Sequence, residues 1–187
     1  MKEALFYRKT SENRVVCGLC PQCCKLKNGQ IGICHVRKNV DGILYSLVYG
    51  KAIAVHVDPI EKKPLFHVAP GSTSFSIATV GCNFHCKFCQ NHDISQISKI
   101  EEISRYSREL SPEQVVTMAK QNNCTSIAYT YTEPTIYFEY AYDIARLAHA
   151  EGILNVFVTN GFINPEPLKF ISEYLDAANI CLLYTSD

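Results

Sequence analysis

From residue 74 onward the chain alternates short apolar runs with amphipathic stretches, and this alternation narrows the possible folds more than any other feature. Residues 74–80 (SFSIATV), 126–131 (SIAYTY), 155–159 (NVFVT) and 178–183 read as strands: short, apolar and rich in β-branched and aromatic side chains. The stretches between them read as helices. Ser111-Pro112-Glu113 supplies an N-cap and a first-turn proline for residues 114–121. Residues 135–151 set Ile136, Tyr140, Ile144, Leu147 and Ala148 on one helical face, with Gly152 behind as a C-cap. Residues 165–174 form a third helical stretch. Such alternation builds βαβ units and a parallel sheet. At roughly 30 residues per unit there is room for about three units and the start of a fourth. A closed eight-unit barrel takes about 250 residues. The pattern predicts an α/β fold, either a short open sheet or the front part of a larger barrel.

The first predicted strand runs directly into Cys82-Asn83-Phe84-His85-Cys86-Lys87-Phe88-Cys89, a C-x3-C-x2-C loop. Thiolates are soft ligands for zinc and for iron–sulfur clusters, and both ordinarily take four protein ligands. Three thiols on one tight loop would leave one iron of a 4Fe–4S cluster open to bind substrate or cofactor. The competing readings are a zinc site and a four-cysteine cluster completed by Cys124 or Cys181.

The N-terminal third is different in kind. Residues 1–40 are polar and cysteine-rich, residues 43–58 suggest a hairpin turning at Gly50-Lys51, and Pro59, Pro64 and Pro70-Gly71 interrupt regular structure. The expected organisation is a small β-rich cap over residues 1–72 and a core over 73–180. Within the cap, Cys17, Cys20, Cys24 and Cys34 are spaced C-x2-C-x3-C-x9-C, with Cys23 in addition. Four thiols suit tetrahedral zinc or a second cluster, and metal binding would help fold a region with few apolar residues; free thiols are the alternative. The chain has ten cysteines, yet they cluster locally, and residues 1–16 have no signal-peptide apolar region. A disulfide framework is therefore disfavoured and a reducing cytoplasm expected. Formal net charge is zero and pI about 7.0, so no global field points to nucleic acid. No apolar run is long enough to span a membrane.

With these motifs in place, the chain resembles the radical S-adenosylmethionine (SAM) enzymes, whose signature is C-x3-C-x2-C with an aromatic residue, here Phe88, before the last cysteine. The likeness is nearer to the branch containing the pyruvate formate-lyase activating enzymes, and nearest to the AmmeMemoRadiSam-system radical SAM proteins. It is carried by residues 14–21, 29–34, 44–51, 57–67, 74–96, 126–135 and 158–166. The resemblance implies the front part of a partial (βα)6 barrel preceded by the cysteine-containing cap. It implies that Cys82, Cys86 and Cys89 hold three irons of a 4Fe–4S cluster while SAM chelates the fourth. Reductive cleavage of SAM would give a 5′-deoxyadenosyl radical that takes hydrogen from an unknown small molecule or protein, as a glycyl-radical activase does.

The resemblance further implies an oxidoreductase served by a flavodoxin- or ferredoxin-type electron donor, with genomic neighbours of the Memo-like and AMMECR-like kinds. Glu133 and Pro134 stand at the family's G-G-E-P-like strand end, where the carboxylate meets the SAM amino group, and Thr159-Asn160-Gly161 matches a T-N-G stretch near SAM. Tyr131 and Thr132 replace the two glycines. The bland alternatives are a solvated helix-terminal acid for Glu133 and a plain turn for Asn160-Gly161. The charged run 58–67 either meets substrate or partner or braces the cap. His85 and His92 either tune the cluster or sit at the surface. Cys181 and Leu183 stand where the family has Asp and Lys. CLLYTSD matches the translation of a sequencing-library transposon end, so residues 181–187 are expected to be a non-native tail. The alternative function is a non-catalytic iron–sulfur or zinc module for electron transfer or interaction.

Overall fold

A computed structural model describes residues 1–97 and 100–181, apart from the side chains of residues 100 and 101. The N-terminal region is built of short strands: β1 (Lys2–Glu3), β2 (Tyr7–Lys9), β3 (Val15–Cys17), β4 (Lys25–Leu26), β5 (Arg37–Val40), β6 (Ile43–Ser46), β7 (Lys51–Ala52) and β8 (Ala54–Pro59). One antiparallel sheet has the order β1-β6-β5 and a second the order β2-β3-β4. Asp41 and Gly42 both have positive φ, 51° and 83°, as a type I′ hairpin turn requires. That turn joins β5 to β6. The hairpin expected within residues 43–58 is therefore not formed. The Asp-Gly turn claims β6 for β5, while β7 pairs with a later strand and β8 enters the main sheet.

The remaining elements are β9 (Thr73–Ala78), α1 (His92–Ser95), α2 (Ile100–Tyr106), β10 (Arg108–Glu109), α3 (Pro112–Gln121), β11 (Ser126–Tyr129), α4 (Phe138–Ala150), β12 (Leu154–Thr159), α5 (Pro165–Ile171) and β13 (Ala177–Ile180). The main sheet has the order β13-β12-β11-β9-β8. Its first four strands are parallel and β8 runs antiparallel to β9. This is the α/β fold that the alternation predicts, with the parallel strands in sequence order as in the front of a barrel. Neither α1 nor α2 is foreseen by periodicity.

The register sorts side chains by size. Ile77, Tyr129 and Phe157 lie abreast, and with Phe75 and Ile127 they pack in one core with Val115, Tyr140, Ile144 and Ala148 of the helices. The opposite face is buried but small: Ser74, Ser76, Ala78, Ser126, Ala128 and Val156. Ile60 and Leu65, from the loop after β8, close on Ala128 and Val156 there. Each fully buried Ile or Phe contributes about 1.5–3 kcal/mol, so the helix-covered face carries most of the stability. The small residues of the other face let the segment after β8 pack directly on the strands.

Helix starts follow local chemistry. Ser111 and Gln114 form a reciprocal capping box on α3, with bonds of 2.8 and 3.3 Å. The stretch expected as one helix from residue 135 opens instead as a 3-10 turn, Pro134–Tyr137, before α4. Gly152 ends it at φ 71°. The N-terminal strands dock on α4. Arg37 and Glu139, each 2% exposed, form an ion pair at 2.7 Å, and Leu5 N–H donates to the same carboxylate at 2.7 Å. Among the described residues no helix is long and apolar enough to cross a membrane.

Candidate functional site

Parallel strands end on one edge, and three of those ends build the site. After β9 the chain passes Gly81, whose φ is 99°. A Cβ there would stand 2.7 Å from both the Cys34 carbonyl oxygen and Val36 Cγ1, so only glycine lets the two backbones meet. The Cys82–Cys89 loop that follows is fixed by its own backbone and by amides. Phe84 N–H points at Cys82 Sγ (3.4 Å), and Cys89 N–H donates to Cys86 O. Gln96 Nε2 donates to Phe84 O, and Asn91 Nδ2 to Tyr131 O after β11. Cys89 Sγ lies 3.4 Å from Ser95 Oγ at the end of α1. Burial pushes the Cys82 thiol up to about 12, with the Glu133 carboxylate and the Cys86 and Cys89 thiols adding to the rise.

Glu133 sits at the end of β11 and is 2% exposed, so it is not a solvated helix-terminal acid. Its Oε1 accepts from Thr135 N (3.0 Å), Thr135 Oγ1 (2.6 Å) and Thr159 Oγ1 (2.6 Å), and its Oε2 from Asn160 N (2.8 Å). Burial pushes its pKa up; the bonds from Thr135, Thr159 and Asn160 pull the other way. Pro134 is buried and starts the 3-10 turn that aims this carboxylate. Gly161, at φ 72°, does make the turn expected of Asn-Gly. The turn also works as a clamp: Asn160 Nδ2 donates to Asn83 Oδ1 at 2.8 Å, and Asn83 Nδ2 to Phe162 O at 3.0 Å. Glu133, Thr159, Asn160 and the cysteine loop thus form one hydrogen-bonded unit. Asn83, 1% exposed, is its hinge-pin and was not foreseen. Its signal is a lone amide between two cysteines, which has no periodicity to reveal it.

Tyr131 takes φ 65°, keeping a backbone shape that glycine favours. Its hydroxyl donates to Asp58 Oδ2 at 2.6 Å. Asp58 also accepts from Lys63 Nζ (2.8 Å), Ser76 Oγ (3.1 Å) and Lys62 Nζ (3.3 Å). The charged run 58–67 therefore braces the sheet, with Asp58 and Lys63 turned inward and paired. His85 is exposed, 6.1 Å ring to ring from His35 of the N-terminal region, and His92 is exposed at the start of α1. Cys124 precedes β11, at the opposite end of the sheet from the loop, and so cannot serve as a fourth ligand there. Cys181 closes β13 through its N–H to Thr159 O. The rest of the expected tail, residues 182–187, lies outside the described residues.

All ten cysteines are free thiols. Cys17, Cys20, Cys23, Cys24 and Cys34 line one pocket, together with Arg37 and Asn83. Among the described residues no three Cys, His, Asp or Glu side chains converge as ligands of a single metal ion. Tetrahedral zinc at ~2.3 Å from sulfur demands that convergence. A cubane does not, because each thiolate takes a different iron. Three thiols on the loop of Cys82, Cys86 and Cys89 could each take one iron of a cubane, and the Phe84 N–H is already set against the Cys82 sulfur.

The sequence matches the model of the Radical SAM superfamily over residues 76–183. It is also similar to an uncharacterized protein of Methanocaldococcus jannaschii, 46% identical over 187 residues. That alignment takes in 100% of this chain and 55% of the relative, so the chain spans about half the length of the curated relative it matches.

Proposed function

The chain belongs to the radical SAM superfamily, and from that premise we propose that it is the catalytic front half of a radical SAM enzyme of the activating-enzyme kind. When bound at Cys82, Cys86 and Cys89, the cluster supplies the electron that splits SAM into methionine and a 5′-deoxyadenosyl radical. The chain's own residues hold and shield that chemistry. Glu133, through Thr159 and Asn160, fixes two strand ends beside the loop, and its Oε2, with a single donor among the described residues, keeps acceptor capacity for an amino group of SAM. Asn83 couples the loop to this clamp. The radical's substrate would be a protein glycyl centre or a small molecule. An electron donor of the flavodoxin or ferredoxin type and affinity with the AmmeMemoRadiSam-system proteins belong to the same proposal.

The observation that carries the reading is the hydrogen-bonded path from Asn83, next to the first loop cysteine, through Asn160 to Glu133. The test is EPR of the anaerobically reconstituted, dithionite-reduced protein with and without SAM. A signal that shifts on adding SAM, and is lost in Cys86→Ala, supports the proposal. A loop cluster whose signal ignores SAM overturns it in favour of an electron-transfer module.

A further inference from the structure

The four N-terminal cysteines take no part in the machinery above. They come from two strand-connecting segments. Cys17 ends β3, Cys20 and Cys24 lie in the turn to β4, and Cys34 precedes β5. Backbone bonds hold the turn, from Cys17 N to Cys24 O and from Cys23 N to Cys20 O. A Cβ on Gly32 would stand 3.6 Å from Cys24 Sγ and 3.8 Å from Cys34 Sγ, which sets both sulfurs close against the glycine. Cys23 lines the same pocket but is exposed, and its thiol bonds back to Cys20 O.

Three further observations give the pocket a character. Cys17, Cys20, Cys24 and Cys34 all line it. Arg37 lines it as well, and the buried Nε–H of that guanidinium has no acceptor among the described residues. Such a donor is costly unless something in the pocket accepts from it. The pocket also abuts the other cysteine loop. Asn83 lines it, Gln22 Nε2 donates to Asn83 O at 3.1 Å, and Gly81 packs on the Cys34 carbonyl.

We propose that Cys17, Cys20, Cys24 and Cys34 hold a second 4Fe–4S cluster, one with a protein thiolate on every iron, against the three-cysteine loop. Four thiols lining one pocket can give each iron of a cubane its own thiolate, and a zinc ion taking the same four is the competing occupant that the experiment separates. A cubane with four thiolates is anionic, and the Arg37 guanidinium and its free Nε–H are suited to an anionic, sulfur-rich acceptor. With no open iron, this cluster stores and passes single electrons and does not bind SAM. The proposal stands independently of the function assigned to the Cys82–Cys89 loop.

The experiment isolates the second site. Cys82→Ala/Cys86→Ala/Cys89→Ala protein, reconstituted anaerobically with ferrous iron and sulfide, is expected to hold about four iron and four sulfide per chain. Its reduced EPR signal should be unmoved by SAM. The unsubstituted protein should hold about eight of each. Adding Cys24→Ser, the least buried of the four, should lower the iron of the triple variant, whereas adding Cys23→Ala should leave it unchanged. Stoichiometric zinc in the triple variant isolated from cells and retained against iron overturns the proposal. So does a folded triple variant, checked by circular dichroism, that takes up no iron. Loss of iron with Cys23→Ala refutes the ligand set.

Discussion

Replacing Glu139 by glutamine keeps its shape and removes its charge, which makes it the sharpest perturbation of the joint between the N-terminal strands and α4. The carboxylate receives Arg37 Nη2 at 2.7 Å, Arg37 Nη1 at 3.2 Å and Leu5 N at 2.7 Å, while Arg37 Nη2 also reaches Leu5 O at 2.9 Å. Both side chains are 2% exposed, so water cannot take over for a lost partner. Burial alone would lower the Arg37 pKa, but Glu139 raises it further, so the guanidinium cannot escape by deprotonating. Two unit charges 4 Å apart attract by about 4 kcal/mol at an effective dielectric of 20. Breaking a buried pair from one side costs ~3–5 kcal/mol. Glu139→Gln is therefore expected to lose about 3–5 kcal/mol of unfolding free energy. Arg37→Met/Glu139→Leu should lose less than either single change, because no buried charge is left alone. Urea unfolding followed by circular dichroism measures these two variants and the Arg37→Met and Glu139→Leu singles, with the denaturant slope held as the control for a common two-state transition. A cost for Glu139→Gln below about 1 kcal/mol, or a double variant equal to the sum of the singles, would refute the reasoning.

Other outcomes follow from the site. Gly81→Ala places a Cβ against the Cys34 carbonyl at a φ of 99° and is expected to cost at least ~2 kcal/mol; a midpoint unchanged in urea would count against the close approach. Glu133→Gln sets a second donor against the Asn160 N–H and should cost ~1–3 kcal/mol, read by thermal unfolding; no change would mean that the clamp is dispensable. Burial would raise the Asp58 pKa, but the bonds from Lys63, Tyr131 and Lys62 outweigh it and hold the group well below the usual carboxylate range. Its stabilisation is present above about pH 4 and lost as pH falls toward the folded-state value. Asp58→Asn should thus flatten the acid limb of stability against pH, and an unchanged limb would contradict the pairing. In metal-free, reduced protein at pH 8, burial keeps Cys34 and Cys82 near 12, so roughly one thiol in 10⁴ is ionised. Mass spectrometry after brief iodoacetamide treatment should find exposed Cys23 alkylated well before either; equal rates would disprove the burial effect.

The core was legible where the physics is local. Apolar alternation located β9, β11, β12 and β13 to within a few residues, and Ser111-Pro112 marked α3, because strand pleat and capping are written in neighbouring positions. The cysteine loop was legible for the same reason: its three cysteines sit within eight residues. Legibility failed where one residue answers to a distant one. Asn83 reaches Phe162 and Asn160, and Asn164 reaches Gly18, contacts with no sequence period. The wrong hairpin came from reading Gly50-Lys51 as a turn when Asp41-Gly42, with positive φ at both positions, was the stronger signal. Arg37 and Glu139 look like ordinary surface charges in the sequence; only the docking of β5 on α4 buries them.

That docking has a consequence during synthesis. Leu5 waits for Glu139, 134 positions later, and Gly18 for Asn164, 146 positions later, before their bonds can form. At ~5–20 residues per second the gap is on the order of ten seconds. Five N-terminal thiols emerge from the ribosome long before the helix and loop that cover them. Throughout that interval they are open to oxidants and to whatever metal arrives first. What reaches those thiols first is then a matter of the nascent chain's surroundings as much as of the finished pocket.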